Sequence, residues 1–182
     1  SILSKDVLYA TNLVVPSISG HNPDLKVWPY DPDKAMALLK EARAAGVKVD
    51  TTLHLIGRTN IYPNATEVME AIQAMYNAVG FKTDLKMLEV SQWLEFLQKP
   101  YPADGGPILL QGQHDNNNGD AVFSVYNKYH SDGANSTVLD KELDSIIEKA
   151  TVATGETRRK LWQSGFKRLY VDIVSDVMMF HM

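Results

Sequence analysis

The sequence predicts an α/β fold, one lobe with a central, mostly parallel or mixed sheet and helices on both faces. Three observations predict it. Segments of helical period alternate with short apolar segments along the chain, the pattern that yields sheets covered by helices. The short segments are rich in Val, Leu and Ile, as strands buried on both faces are. Two polar stretches, 57–60 and 111–120, follow strand-like segments, and in such sheets ligands sit at the carboxyl ends of strands.

Residues 1–30 are broken by Pro16, Gly20, Pro23 and Pro29 and are expected to be an irregular lead-in. Asp31-Pro32-Asp33 then starts a helix, with Asp31 as cap and Pro32 at the first helical position. Ala35, Leu38, Leu39 and Ala42 share one face of it, and Gly46 ends it. Residues 49–56 read as a strand buried on both sides near Leu55-Ile56, followed by the loop Gly57-Arg58-Thr59-Asn60. Pro63-Asn64 starts a second helix whose stripe is Ala65, Val68, Met69, Ile72, Met75, Tyr76 and Val79, closed by Gly80. Phe81, Thr83, Leu85 and Met87 alternate as a second strand. Ser91 is placed to cap a short helix running to Gln98, stopped by Pro100 and Pro102, and Ile108-Leu109-Leu110 forms a third strand. Residues 111–120 and 126–137 are polar and loop-like. Helices are expected at 139–153 and 155–171, with a final strand from Ile173 to His181. That strand ends without a polar tail and is expected to continue in a longer protein.

The composition narrows the function. A length of 182 residues fits one ordinary domain. Formal net charge is -4 and the basic residues are scattered, against the clustered Lys and Arg that phosphate contacts need. Nucleic acid is therefore not an expected partner. There are no cysteines, which removes disulfides, thiolate metal sites and thiol nucleophiles. No phosphate loop of the G-x-x-x-x-G-K-S/T type, no G-x-G-x-x-G and no G-x-S-x-G elbow occurs, and none of His21, His54, His114, His130 and His181 stands at metal spacing. No catalytic residue, metal or cofactor is expected. The alternative is a small α/β enzyme using His114 and Asp115 in the 111–120 loop. An interaction domain with polar loops is a third reading.

Several local sequences carry a resemblance. Trp28-Pro29-Tyr30-Asp31-Pro32-Asp33-Lys34-Ala35, continued by Leu38-Leu39-Lys40-Glu41-Ala42, resembles the segment Y-D-P-x-K-A-x-x-L-L-x-E-A of bacterial extracellular solute-binding proteins of family 5, the peptide- and nickel-importer type. Glu70 to Thr83 is similar to that family's helix followed by G-I/V-x-V/T, and Gly119-Asp120-Ala121 resembles the glycine–aspartate of its cleft loop. Leu139 to Ala150 followed by Glu156-Thr157-Arg158-Arg159 resembles its P-x-L-D-x-L-I-x-x-A…R segment. In this order the matches cover nearly the whole chain.

The resemblance implies a single Rossmann-like lobe of the periplasmic-binding-protein type II, the carboxy-terminal lobe of a two-lobed protein that closes on its ligand by a hinge. Residues 1–182 would be that lobe, with the amino-terminal lobe absent and His181-Met182 near the hinge. It implies no enzyme activity. It implies a dipeptide or oligopeptide as first ligand, delivery to the membrane permease of an ABC importer, and a periplasmic or lipid-anchored extracellular location. Arg58 falls where dipeptide-binding members place an arginine on the ligand carboxylate, and a guanidinium fits a carboxylate bidentately; the other reading of Arg58 is a surface residue near a helix start. Asp115, with Asp120 as its rival, falls where members hold the ligand ammonium; the other reading is an aspartate capping its own turn. Where the family often has a tryptophan, this chain has Gly112 or Gln113. Gln111, Gln113, His114, Asn116, Asn117 and Asn118 are suited to reading hydroxyls, which admits a polar, sugar-like solute as second ligand. Trp93 is read either as a stacking face or as core.

Overall fold

The computed structural model describes residues 7–101, 106–114 and 119–181. In chain order its elements are β1 (Leu8–Tyr9), α1 (Pro32–Ala44), β2 (Leu53–Arg58), α2 (Ala65–Ala78), β3 (Thr83–Leu88), α3 (Val90–Leu94), β4 (Ile108–Leu110), α4 (Val122–Tyr129), α5 (Lys141–Val152), α6 (Gly155–Lys167), a π-helical turn (Arg168–Ile173) and β5 (Phe180–His181). They fall into two compact units. One runs from Pro29 to Gln113; the other joins the segment ending at Trp28 to the chain from His114 onward.

The first unit is the parallel α/β part. Its sheet has the order β3-β2-β4. Both pairings are parallel, with Leu53 opposite Thr83, Arg58 opposite Leu88 and Ile56 opposite Leu110. Leu55 and Ile56 on the central strand are almost wholly buried, because a middle strand is covered on both faces. Helix α1 starts as expected: the Lys34 N–H donates to Asp31 Oδ1 at 2.9 Å, and Pro32 occupies the first turn. Helix α2 packs on β2 and β3 and is entered through Asn64, which holds a left-handed backbone at φ 61°, a conformation asparagine tolerates better than most residues.

The second unit is mostly helical. Val14, Ala121, Val125, Tyr129, Leu143, Ile147, Trp162, Phe166 and Leu169 share its core. Two sequence expectations are corrected here. The stretch 126–137, read as a polar loop, begins inside α4. Ala121, Val125 and Tyr129, four residues apart, form the buried face of this helix; Tyr126 and Asn127 point outward and hid the period. The strand expected from Ile173 to His181 shrinks to Phe180–His181. Leu169 and Tyr170 are buried, so the helix continues past Lys167 as a π-helical turn, stopped by the left-handed backbone of Val174 at φ 54°. The remaining strand pairs antiparallel with β1, Leu8 against His181, and takes no part in the parallel sheet.

The early segment is irregular in backbone yet packed into this unit. Val14 is fully buried. Asn12 Oδ1 accepts from the Asn22 N–H at 2.8 Å, Asn22 Nδ2 donates to the Gln163 carbonyl at 3.0 Å, and Gln163 Nε2 donates back to the His21 carbonyl at 2.9 Å. These bonds supply the partners that buried polar groups require and tie the segment to α6.

The same segment predicts a pH dependence. Burial lowers the pKa of His21. Burial, and then the nearby His21, lower that of His181. The unfolded chain therefore binds more protons once the pH drops below the ordinary histidine value of about 6.5. Stability should be full above that value and decline on acidification. The urea midpoint is expected to drop between pH 7 and 5, and to drop less in a His21→Asn/His181→Asn variant. An unchanged pH slope in that variant would refute the assignment.

Candidate functional site

At the carboxyl end of the parallel sheet the first unit brings Arg58, Tyr62, Trp93 and Gln111 together. Arg58 is the last residue of β2. Gln111 follows β4 directly and prolongs the ladder, its N–H donating to the Ile56 carbonyl at 2.8 Å. Its side chain then turns across the strand end: Oε1 accepts from the Arg58 N–H at 2.9 Å, and Nε2 donates to Tyr62 Oη at 2.7 Å. The Gln111 carbonyl accepts from Trp93 Nε1 at 2.9 Å. The Arg58 guanidinium carbon lies 5.6 Å from the centre of the Trp93 ring, within cation–π reach. Beside it, Thr59 Oγ1 donates to Glu89 Oε1 at 2.8 Å.

Arg58 differs from the other arginines. Arg43 pairs with Asp50, Arg158 with Asp120, Arg159 with Glu156 and Arg168 with Asp140. Among the described residues Arg58 has no acidic partner, and its buried Nε has no hydrogen-bond acceptor. A guanidinium held on an aromatic face with its buried Nε unsatisfied is prepared for an acceptor from outside, because leaving such a group unpaired is costly.

The other sequence candidates are dispersed. Gln113 is exposed in the first unit, and His114 is half-buried in the second. Asp115, Asn116 and Asn118 lie outside the described residues. Asp120 stands in the second unit, where both its oxygens are gripped by Arg158 Nη2 at 2.8 and 2.9 Å, and Oδ1 also accepts from the Val122 N–H at 2.8 Å. Burial raises the Asp120 pKa, but the Val122 N–H and then Arg158 outweigh it and hold the carboxyl below its usual range. Trp93 is buried and serves as the floor under Arg58. Sequence reading missed Tyr62 and the inward role of Gln111; the available signal was a glutamine continuing the apolar run of β4. Among the described residues no cluster of three or more His, Cys, Asp or Glu is arranged to hold a metal ion, and no helix is long and apolar enough to cross a membrane.

The parallel α/β sheet with its covering helices gives the class: the fold is that of periplasmic solute-binding proteins. It superimposes on the ABC transporter substrate-binding protein CtaP of Listeria monocytogenes with a TM-score of 0.70 and 19% identity, over 90% of this chain and 33% of that one. Residues 1–136 match the family described as bacterial extracellular solute-binding proteins, family 5 Middle, and the chain belongs to that family. The family is one of substrate binding rather than catalysis. Di/tripeptide-binding protein 2 of Pseudomonas aeruginosa is 29% identical over 161 residues, which is 85% of this chain and 29% of that protein. The dipeptide-binding protein of Escherichia coli is 33% identical over 117 residues, 64% of this chain and 21% of that protein. The chain thus spans less than a third of the length of these relatives.

Proposed function

We propose that this chain is the carboxy-terminal lobe of a periplasmic or lipid-anchored substrate-binding protein that captures a short peptide and delivers it to an ABC importer, with Arg58 receiving the ligand carboxylate. The observation that carries the proposal is the guanidinium at the carboxyl end of β2, which has no acidic partner among the described residues. A planar guanidinium fork matches a carboxylate, and a free peptide always ends in one. The names of the two relatives agree with that ligand class. The polar-solute alternative relied in part on Gln111 as a hydroxyl reader. Its amide is instead engaged by Arg58 and Tyr62, which favours the peptide. Asp115 remains the proposed partner of the ligand ammonium, and an amino-terminal lobe is proposed to complete the cleft.

The test is calorimetric titration of the full-length protein with a dipeptide and with its carboxy-terminal amide. Arg58→Ala is expected to weaken the free dipeptide about 30-fold, the order of a hydrogen bond to a charged group, and the amide far less. Equal loss for both ligands removes Arg58 from its role. Absence of any peptide binding by the unaltered protein overturns the ligand class.

A further inference from the structure

We infer that Gln111 is a positioning residue that sets the carboxylate selectivity of the site by fixing Arg58 on the Trp93 face. The inference rests on the peptide-binding reading above, but on different atoms. Gln111 is 5% exposed, so it presents almost no surface to a ligand. Every polar group it owns is directed at a segment that frames Arg58. Its N–H is held by Ile56, two residues before Arg58. Its Oε1 holds the Arg58 N–H. Its Nε2 holds Tyr62, four residues further on. Its carbonyl holds the Trp93 indole at 2.9 Å, and that ring lies 5.6 Å from the guanidinium carbon.

The side chain at this place must accept at one oxygen and donate at the neighbouring nitrogen, and it must span two segments. Glutamine meets these demands with one amide. The consequence concerns the ligand. Arginine carries much rotamer freedom, and freezing it on binding weakens affinity unless the protein has already done so. With its backbone and aromatic floor both tied to Gln111, Arg58 is ordered before a carboxylate arrives. Neutrality matters as well. A glutamate at position 111 retains acceptors for the Arg58 N–H and for a Tyr62 hydroxyl that turns round, but it places an anion beside the cation and competes with the ligand for it.

The experiment compares the ratio of dipeptide to dipeptide-amide affinity in the full-length protein and in Arg58→Ala, Gln111→Leu and Gln111→Glu. Gln111→Leu is expected to lower the ratio about 5-fold, the order of one ordered side chain. Gln111→Glu is expected to lower it at least as far while keeping the melting temperature close to that of the unaltered protein. Neither change should lower the ratio further in an Arg58→Ala background, since coupled residues are not additive. If Arg58→Ala leaves the ratio intact, the peptide-carboxylate reading fails. If Arg58→Ala collapses it but both Gln111 variants preserve it, or weaken both ligands equally, the role given to Gln111 is overturned while that reading survives. Gln111→Glu reports on the question even where Gln111→Leu fails to fold.

Discussion

Gly20→Ala is expected to destabilise the second unit by about 3 kcal/mol, the sum of backbone strain of about 1–2 and overpacking of about 1–3. Gly20 holds φ at +99°, and a Cβ there would stand 2.5 Å from Trp162 Cβ and 3.1 Å from its Cγ. The tryptophan is 1% exposed and sits in the core with Leu143, Phe166 and Leu169, so it has no free direction in which to yield. The loop cannot retreat easily either. Ser19 bridges to Asp120, and the His21 N–H is held by the Ile18 carbonyl at 3.1 Å. Gly46→Ala provides the control. Gly46 also has a positive φ, +84°, but nothing lies within 4 Å of the position a Cβ would take. It should cost about 1 kcal/mol, strain alone. Urea unfolding of both variants checks the difference. Equal losses would mean that the close approach to Trp162 contributes nothing.

That contrast marks where sequence reading stops. Gly20 is visible in the sequence as a helix breaker, but its partner lies 142 residues away on α6, and nothing local encodes the encounter. Elements whose signals are local were legible. Asp31-Pro32 gave the start of α1. The stripe of Val68, Met69 and Ile72 gave α2. The segments 49–56 and 108–110 gave two strands of the parallel sheet, the first of which is observed at Leu53–Arg58. Helical backbone through Val171 was expected; its π-helical form and its reach to Ile173, where a strand was expected to begin, were not legible, because the β-branched Ile173 favours extended backbone. In the site, Arg58 was singled out through the resemblance and expected in a loop after the strand, whereas it is the last residue of β2. The tie from Gln111 across to Tyr62 and Trp93 was not legible, since it joins two loops and α3, which only the tertiary fold brings together. Asp120 was legible as an acidic loop residue, while the cation that meets it, Arg158, is 38 residues further on.

Asp120→Ala should therefore act on stability rather than on ligand selectivity. In the second unit Asp120 is part of a knot. Arg158 Nη2 spans both carboxylate oxygens at 2.8 and 2.9 Å, and Nη1 donates to the carbonyls of Ala150, Thr151 and Ala153, the last turn of α5 and its cap. The guanidinium also lies 5.6 Å from the Trp162 ring. The Arg158 side chain is 18% exposed and that of Asp120 37%. Removing the carboxylate leaves a mostly buried cation facing carbonyls alone, and takes an acceptor from the Val122 N–H at the start of α4. Breaking a fully buried pair costs about 3–5 kcal/mol; with Asp120 more than a third exposed, about 2 kcal/mol is expected. The pKa of Asp120 is depressed in the folded state. Its stabilisation is thus present above the ordinary carboxylate range and lost on acidification through about pH 4 and below, and Asp120→Ala should flatten the acid limb of the stability curve. A double-mutant cycle with Arg158→Gln should show the two changes to be strongly non-additive. Because Arg158 already neutralises the carboxylate, Asp120→Ala should shift the affinities for a free dipeptide and its N-acetylated form by the same factor. A variant as stable as the parent that no longer distinguishes the free ammonium would reverse the assignment, making Asp120 the anionic anchor of the cleft and Arg158 its support.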